Sequence, residues 1–130
     1  MRIKIYGTPV AQPRHKVSTI GGFARAYIPE KHKIHAWKAL IQDACYEPSL
    51  TIPTANYERA IEVELIFTLP RPKSLPKKVT HHIKKPDIDN LCKAVLDAMN
   101  GIIYKDDSQV WKLTASKCYG EDVGVEIELL

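Results

Sequence analysis

Residues 84–110 read KKPDIDNLCKAVLDAMNGIIYKDDSQV and concentrate acids in an otherwise basic part of the chain. Pro86 followed by Asp87 is typical of a helix start, because proline suits the first turn and a carboxylate from Asp87 or Asp89 can cap exposed N–H groups. Asn100 followed by Gly101 is typical of a helix end. These signals predict one helix, around which the other elements are arranged.

The predicted helix has an apolar face and a polar face. Residues spaced by three and four positions share one side of a helix. The apolar side holds Ile88, Leu91, Cys92, Val95, Leu96 and Met99, and the polar side holds Asp89, Asn90, Lys93 and Asp97. We expect the apolar side to pack on a core, which leaves the polar side to carry chemistry.

The composition describes a small chain with an uneven charge distribution. Its 130 residues fit one domain, residues 1–130, and 19 Lys and Arg against 15 Asp and Glu give a formal net charge of +4. A chain of this length can bury roughly two-thirds of its unfolded surface without help from disulfides. Residues 1–42 hold eight Lys or Arg and a single acid, Glu30.

Residues 70–85 contain three prolines among lysines, which predicts a long loop leading into the helix. Its positive side chains suit a polyanion, but an ordinary solvated loop would have the same composition. The basic residues are Arg71, Lys73, Lys77, Lys78, Lys84 and Lys85, with His81 and His82 beside them.

The cysteines and the hydropathy indicate an intracellular chain. Cys45, Cys92 and Cys118 are odd in number and have no CxxC spacing, so we expect reduced thiols and no zinc site. No apolar run approaches the ~20 residues that cross a bilayer. The chain starts directly with a predicted strand rather than a signal peptide, and we expect a soluble cytoplasmic protein with no membrane partner.

The first third of the chain predicts a strand, a hairpin and a helix. Residues 2–6 alternate as a strand does, and residues 14–19 and 23–28 flank a glycine pair that suits a tight turn. The hairpin is either an exposed excursion of the sheet or a basic flap that contacts DNA. Pro29 and Glu30 predict the start of a helix that ends near residue 46, with Trp37 on its core side.

The remaining elements complete the predicted fold. Glu47 and Pro48 end the first helix, a polar linker runs to Tyr57, and residues 59–69 alternate as a central strand. Two further strands are expected at about 109–118 and 122–129. This order predicts an α+β fold in which a mixed β-sheet packs against two helices.

Four acids flank the key helix in two pairs. Asp87 and Asp89 lie where the loop enters the helix, and Asp106 and Asp107 lie in the turn before the next strand. If that strand packs beside the helix start, the acids converge, and a compact acidic cluster suits Mg²⁺ and a phosphodiester. The alternative is that Asp87 and Asp89 only cap the helix.

Lys93 allows two interpretations. It lies one helical turn beyond Asp89, where it could offset charge at a phosphate, or it could pair with Asp89 and Asp97. The residue pattern alone favours the ion pairs.

The stretch KPDIDNLCKA at residues 85–94, followed by DA at 97–98 and DDSQV at 106–110, resembles the signature of the RusA family of Holliday junction resolvases. The resemblance implies a RusA-like fold and a small homodimeric endodeoxyribonuclease, bacterial or phage-borne. It further implies Mg²⁺, with Mn²⁺ as an alternative, and two opposed nicks in four-way junction DNA during recombination and repair.

The same resemblance implies roles for single residues. By motif position, Asp87, Asp89 and Asp107 would be metal-binding catalytic acids and Lys93 the catalytic lysine, which reverses the preference for ion pairs at Lys93. Asp97 and Asp106 match family positions without a defined role. The Gly21-Gly22 hairpin is longer than in the best-known members of the family.

The basic residues predict where DNA would bind, and two rival functions remain open. We expect the DNA backbone to contact Arg14, Lys16, Arg25, Arg71, Lys73, Lys77, Lys78, Lys84 and Lys85. One rival is a structure-specific DNA-binding protein of the same fold, which would have no chemical need for the acids. Another is a Mg²⁺-dependent phosphohydrolase of small nucleotides, which would need a pocket rather than a long basic surface.

Overall fold

The computed structural model describes residues 1–22, 24–46 and 58–130, and its elements follow the predicted order. They are β1 (Arg2–Tyr6), β2 (Lys16–Ser18), β3 (Arg25–Tyr27), α1 (Ile34–Cys45), β4 (Ile61–Leu69), α2 (Ile88–Met99), β5 (Val110–Tyr119) and β6 (Gly124–Leu129). Two helices pack on a four-stranded mixed sheet, and β2 and β3 form a separate hairpin. The predicted α+β fold is confirmed.

The strand order β1-β6-β4-β5 decides where α2 lies. β4 pairs in parallel with β5 and antiparallel with β6. Parallel neighbours need a crossover connection, and here the crossover consists of the 70–85 loop and α2. The helix therefore starts near the end of β5 and finishes near its beginning.

β4 is the central strand that the alternating pattern predicts. Val63, Leu65 and Phe67 are fully buried, whereas the alternate residues are half-buried on the opposite face. The buried face packs against Ile34, Trp37 and Ile41 of α1 and against most of the apolar side of α2. Ile88, which the spacing placed on that apolar side, is instead 37% exposed because it lies on the first turn beside an open groove.

α1 begins five residues after the Pro29 start expected from the sequence. Residues before Ile34 form turns instead, in which His32 N donates to Pro29 O at 3.0 Å and Ile34 N donates to His32 Nδ1 at 3.0 Å. The imidazole of His32 thus accepts a hydrogen bond from the first N–H group of the helix, an interaction that the local sequence does not predict. The predicted helix end at Glu47 and Pro48, and the linker to Tyr57, lie outside the described residues.

The hairpin turns at Gly21 and Gly22, which both have φ near 80° as expected, although its strands are only three residues long. The thiols of Cys45, Cys92 and Cys118 are unpaired, as expected. Burial raises the pKa of Cys45 and of Cys92 to about 11, so both act as packing residues. Within the described ranges, no helix is long and apolar enough to traverse a membrane.

Candidate active site

The start of α2 uses the backbone of Asp87 but not its side chain, since Leu91 N donates to Asp87 O at 3.1 Å. Asp87 occupies the N-cap position with φ −72° and ψ 140°, but its side chain makes no capping hydrogen bond. The helix start is therefore where the sequence predicted it, whereas the expected side-chain cap from Asp87 is not formed. Its exposed carboxylate is not used to hold the helix.

An open groove of about 360 Å³ runs along α2 beside β5. Three side chains on successive turns of α2 face it, and the acidic groove is defined here by Asp89, Lys93, Asp97 and Asp107. Its walls are apolar and come from both elements: Ile88, Cys92 and Leu96 of α2 and Leu113 and Ala115 of β5. Three of the four residues on the predicted polar side of the helix therefore line one groove, whereas Asn90 lines another cavity.

A short 3₁₀ turn, Asp107–Gln109, presents Asp107 to the groove. Asp106 caps this turn by accepting from Ser108 N at 3.1 Å, a hydrogen bond that lowers the pKa of Asp106. Gln109 Oε1 in turn accepts from Asp106 N at 3.2 Å and from Lys105 N at 2.8 Å. Asp106 is thereby engaged in holding the turn, which gives Asp107 a defined backbone.

Asp107 lies in an unfavourable place for a charge. Partial burial, the charge of Asp106 and the charge of Asp97 together raise its pKa above the ordinary value for aspartate. The nearby Asp97 side chain raises this pKa, and the Asn100 side chain acts in the opposite direction. Sequence reasoning assigned Asn100 only to the helix end and missed this contact.

Lys93 is exposed between the two ends of the acidic groove. No ion pair of Lys93 is found among the residues described here, and Asp97 pairs instead with Lys38 of α1, with 3.8 Å between Nζ and Oδ2. The interpretation in which Lys93 pairs with Asp89 and Asp97 therefore finds no support. Its ammonium group is placed to meet a ligand in the groove.

The acids do not converge as closely as the sequence suggested. Asp107 lies beside Asp97, which is two helical turns from Asp89, or about 12 Å along the helix axis. In residues 1–22, 24–46 and 58–130, no three His, Cys, Asp or Glu side chains form a ready metal site. The reason is the parallel pairing of β4 and β5, which brings the 3₁₀ turn to the far end of α2.

A second and larger cavity lies on the other side of the α2 start. Its volume is about 820 Å³, and Asp87 lines it together with two of the basic residues expected to bind DNA, Arg14 and Lys85. Asp87 and Asp89 thus face different concavities. This cavity is called the N-terminal cavity below, because residues 8–14 form one of its walls.

The other expected DNA contacts are spread over the surface. Arg71 and Lys77 line a third concavity, and Arg71 is partly held in place because it donates to Pro76 O at 2.8 Å. Four more are exposed: Lys16, Lys73, Lys78 and Lys84. The side chain of Arg25 lies outside the described part of the chain. Among the expected DNA contacts whose side chains are described, only Arg14 and Lys85 line a cavity together with an acid of the candidate site.

Lys117 is a site residue that the sequence did not reveal. From β5 its Nζ donates to Lys84 O at 2.7 Å and to Pro86 O at 2.8 Å, which fixes the chain directly before Asp87. The same loop is held along β5 by Tyr119 N donating to Thr80 O at 2.8 Å. No local pattern predicts a contact between residues more than 30 positions apart.

Two comparisons with known proteins gave matches over nearly the whole chain. The family model described as endodeoxyribonuclease RusA matches residues 6–130, which include every member of the acidic groove. A protein of Bacillus subtilis (strain 168), described as uncharacterized protein YqaN, is 34% identical over 135 residues, and the match covers 98% of this chain and 93% of that protein.

Proposed function

Because this chain belongs to the RusA family of endodeoxyribonucleases, we propose that it resolves four-way DNA junctions by paired, symmetric, Mg²⁺-dependent nicks. The observation that carries the proposal is the acidic groove, where Lys93 lies between Asp89 and the carboxyl pair of Asp97 and Asp107. The groove is open along its length, which suits a polymer chain better than a small substrate.

The donor set fits a hard divalent cation. Its candidate ligands are carboxylate oxygens, and a bound cation would offset the charge repulsion that raises the pKa of Asp107. We propose that Asp87, Asp89 and Asp107 hold Mg²⁺, or Mn²⁺ in its place. When bound, the ion supplies the charge that activates a water and stabilises the leaving 3′ oxygen.

The spacing of the acids indicates how the DNA takes part. Mg²⁺ is usually held by one or two carboxylates, with phosphate oxygens and water completing its shell. Since Asp87 faces another cavity and Asp107 lies beside the far end of α2 from Asp89, the three acids do not share one ion in this arrangement. The scissile phosphate and water therefore supply the remaining ligands in this proposal. Lys93 offsets negative charge on that phosphate, and Asn100 orients Asp107.

Incubation with a synthetic four-way junction tests the function. We expect Mg²⁺-dependent nicks at symmetry-related positions in two opposed strands, and no nicks in a linear duplex with the same sequences. A protein that binds the junction but leaves it intact at every Mg²⁺ and Mn²⁺ concentration would instead be the DNA-binding protein of the same fold. Hydrolysis of mononucleotides without junction cleavage would indicate the phosphohydrolase.

Lys117→Met is expected to slow incision by about tenfold while junction affinity changes by less than about threefold. The variant removes both hydrogen bonds that fix residues 84–86, so Asp87 loses its position, and small misplacements of a reacting group are costly. The Mg²⁺ concentration for half-maximal rate should rise as well, which a general loss of stability would not cause. Single-turnover rates at several Mg²⁺ concentrations measure both effects.

Lys112→Met is the matched control, because Lys112 lies on the opposite face of β5 and pairs with Glu62 at 3.1 Å. It should leave the Mg²⁺ dependence unchanged. An unaltered rate in Lys117→Met would remove Lys117 from the site.

Two symmetric incisions require two sites, so we expect a two-fold symmetric homodimer. The sheet has edges at β1 and β5, and β5 exposes 66% of Trp111 and 41% of Leu113 beside the acidic groove. Sedimentation at micromolar concentration should give twice the 14.7 kDa chain mass. Heterodimers of wild-type and Asp107→Asn chains should nick one strand only, whereas a monomer that still makes paired cuts would contradict the dimer.

A further inference from the structure

The N-terminal cavity contains polar atoms that lack partners. Among the described residues, four buried side-chain polar atoms have no hydrogen-bond partner, and two of them belong to residues that line this cavity: Gln12 Oε1 and His82 Nδ1. Buried polar groups are almost always paired, so each exception calls for an explanation. Their occurrence at one cavity indicates a ligand that supplies the missing hydrogen bonds.

Gln12 is the stronger of the two signals. Its side chain is only 7% exposed, and its backbone N donates to Asn90 O at 2.9 Å, which fixes the residue against the first turn of α2. The amide oxygen is covered in this conformation, so the amide group must turn toward the cavity to meet a ligand. An amide oxygen accepts hydrogen bonds, and the ligand must therefore offer an N–H or O–H group.

His82 adds a second polar group that is uncharged at neutral pH. Burial and the nearby charges of Lys117 and Lys84 lower the pKa of His82, so the ring meets a ligand as a neutral imidazole. Apolar surface from Val10, Leu69 and Pro70 completes the lining between these polar groups. A planar, partly apolar group with a hydrogen-bond donor at its edge matches this interior.

Cations surround the same cavity. Arg14, Lys33 and Lys85 line it and are exposed, and Asp87 is the acid among its lining residues. The volume of about 820 Å³ lies in the range of small-ligand sites, roughly 300–1,000 Å³. The cavity thus combines positive side chains that can bind phosphate with an interior of polar and apolar groups, and these features match one nucleotide.

We propose that the N-terminal cavity binds one unstacked nucleotide of the DNA strand, and that Gln12 discriminates its base through a donor on the base edge. The proposal rests on the nuclease function proposed above, because only a bound DNA strand brings a nucleotide beside Asp87. The cations contact the flanking phosphates, and the base enters between Gln12 and His82. The cavity then selects which nucleotide lies next to the acids.

The experiment measures binding in metal-free buffer, where no incision occurs. Four-way junctions carry 2-aminopurine at one position at a time around the crossover, and wild-type protein should raise its fluorescence severalfold at symmetry-related positions. The base at those positions is then varied among A, C, G and T, and Kd is measured. We expect a difference of about fivefold between the best and worst base, the worth of one hydrogen bond.

Gln12→Met should reduce that difference to less than about twofold, and Gln12→Asn, which shortens the amide, should do the same if the first variant does not fold. Gln42→Met is the matched control, since Gln42 lies on α1 and does not line the cavity. The proposal is overturned if 2-aminopurine fluorescence rises at no position. It is also overturned if both Gln12 variants keep the wild-type order and ratio of the Kd values for the four bases.

Nicking of the same junctions with Mg²⁺ separates the two proposals. Nicking by wild-type protein without any base preference in binding overturns the nucleotide site alone. Base preference in binding without nicking overturns the nuclease function and leaves the site standing.

Discussion

Asp89→Asn and Asp107→Asn are each expected to reduce junction incision by at least roughly a thousandfold, and Asp87→Asn to act in the same direction. Each change removes a proposed metal ligand while keeping the size of the side chain. Junction binding should stay equal or become tighter, because a charge that repels phosphate is lost. Single-turnover cleavage and fluorescence anisotropy on the same junction measure the two effects.

Asp107→Asn should also raise or preserve the melting temperature in metal-free buffer. The pKa of Asp107 is raised in the folded chain, so the folding stability linked to its protonation is present at low pH and is lost as the pH rises through that value. At neutral pH the ionised carboxylate is repelled by Asp97 and Asp106, and the substitution relieves this repulsion. Mg²⁺ should raise the melting temperature of the wild type more than that of the variant.

Asp122→Asn provides the control, because Asp122 is an exposed acid in the turn before β6, remote in sequence from the acidic groove. It should cleave at the wild-type rate. If Asp89→Asn or Asp107→Asn also nicks junctions at that rate, the residue does not belong to the proposed site.

Lys93→Ala is expected to lower the cleavage rate by about a hundredfold and to leave the melting temperature nearly unchanged. The magnitude is that of removing one donor that stabilises developing charge. The stability expectation follows from the structure, where Lys93 is exposed on the polar side of α2 and joins no ion pair among the described residues. Single-turnover rates measure the expected loss of cleavage, and thermal melts measure the expected lack of effect on the melting temperature.

Lys38→Ala is the informative comparison for Lys93. Lys38 forms the ion pair with Asp97 across the two helices, so its loss should affect stability before catalysis. A Lys93→Ala protein that melts lower but cleaves normally would restore the ion-pair interpretation.

Local spacing was sufficient to predict α2, β4 and most of their buried faces, Ile88 of α2 being the exception. A helix face repeats every three to four residues and a strand face every two, so side-chain periodicity records which side meets the core. The Asn100 and Gly101 end was equally readable, because Gly101 adopts φ near 78°, a conformation that glycine allows at low cost. The motif in residues 85–110 was likewise sufficient to identify the RusA family, since its residues lie close together in the chain.

Tertiary structure alone decided what surrounds those residues. The parallel pairing of β4 and β5 placed Asp107 beside Asp97 and Asn100 rather than beside Asp87, and a strand register is set by contacts far apart in sequence. Lys117 contacts the loop before Asp87, and Gln12 contacts the first turn of α2. Both contacts join segments far apart in sequence, so no local pattern predicts them. Local sequence specifies side-chain periodicity and the glycine that ends a helix, whereas the environment of a charge depends on which distant segments pack against it.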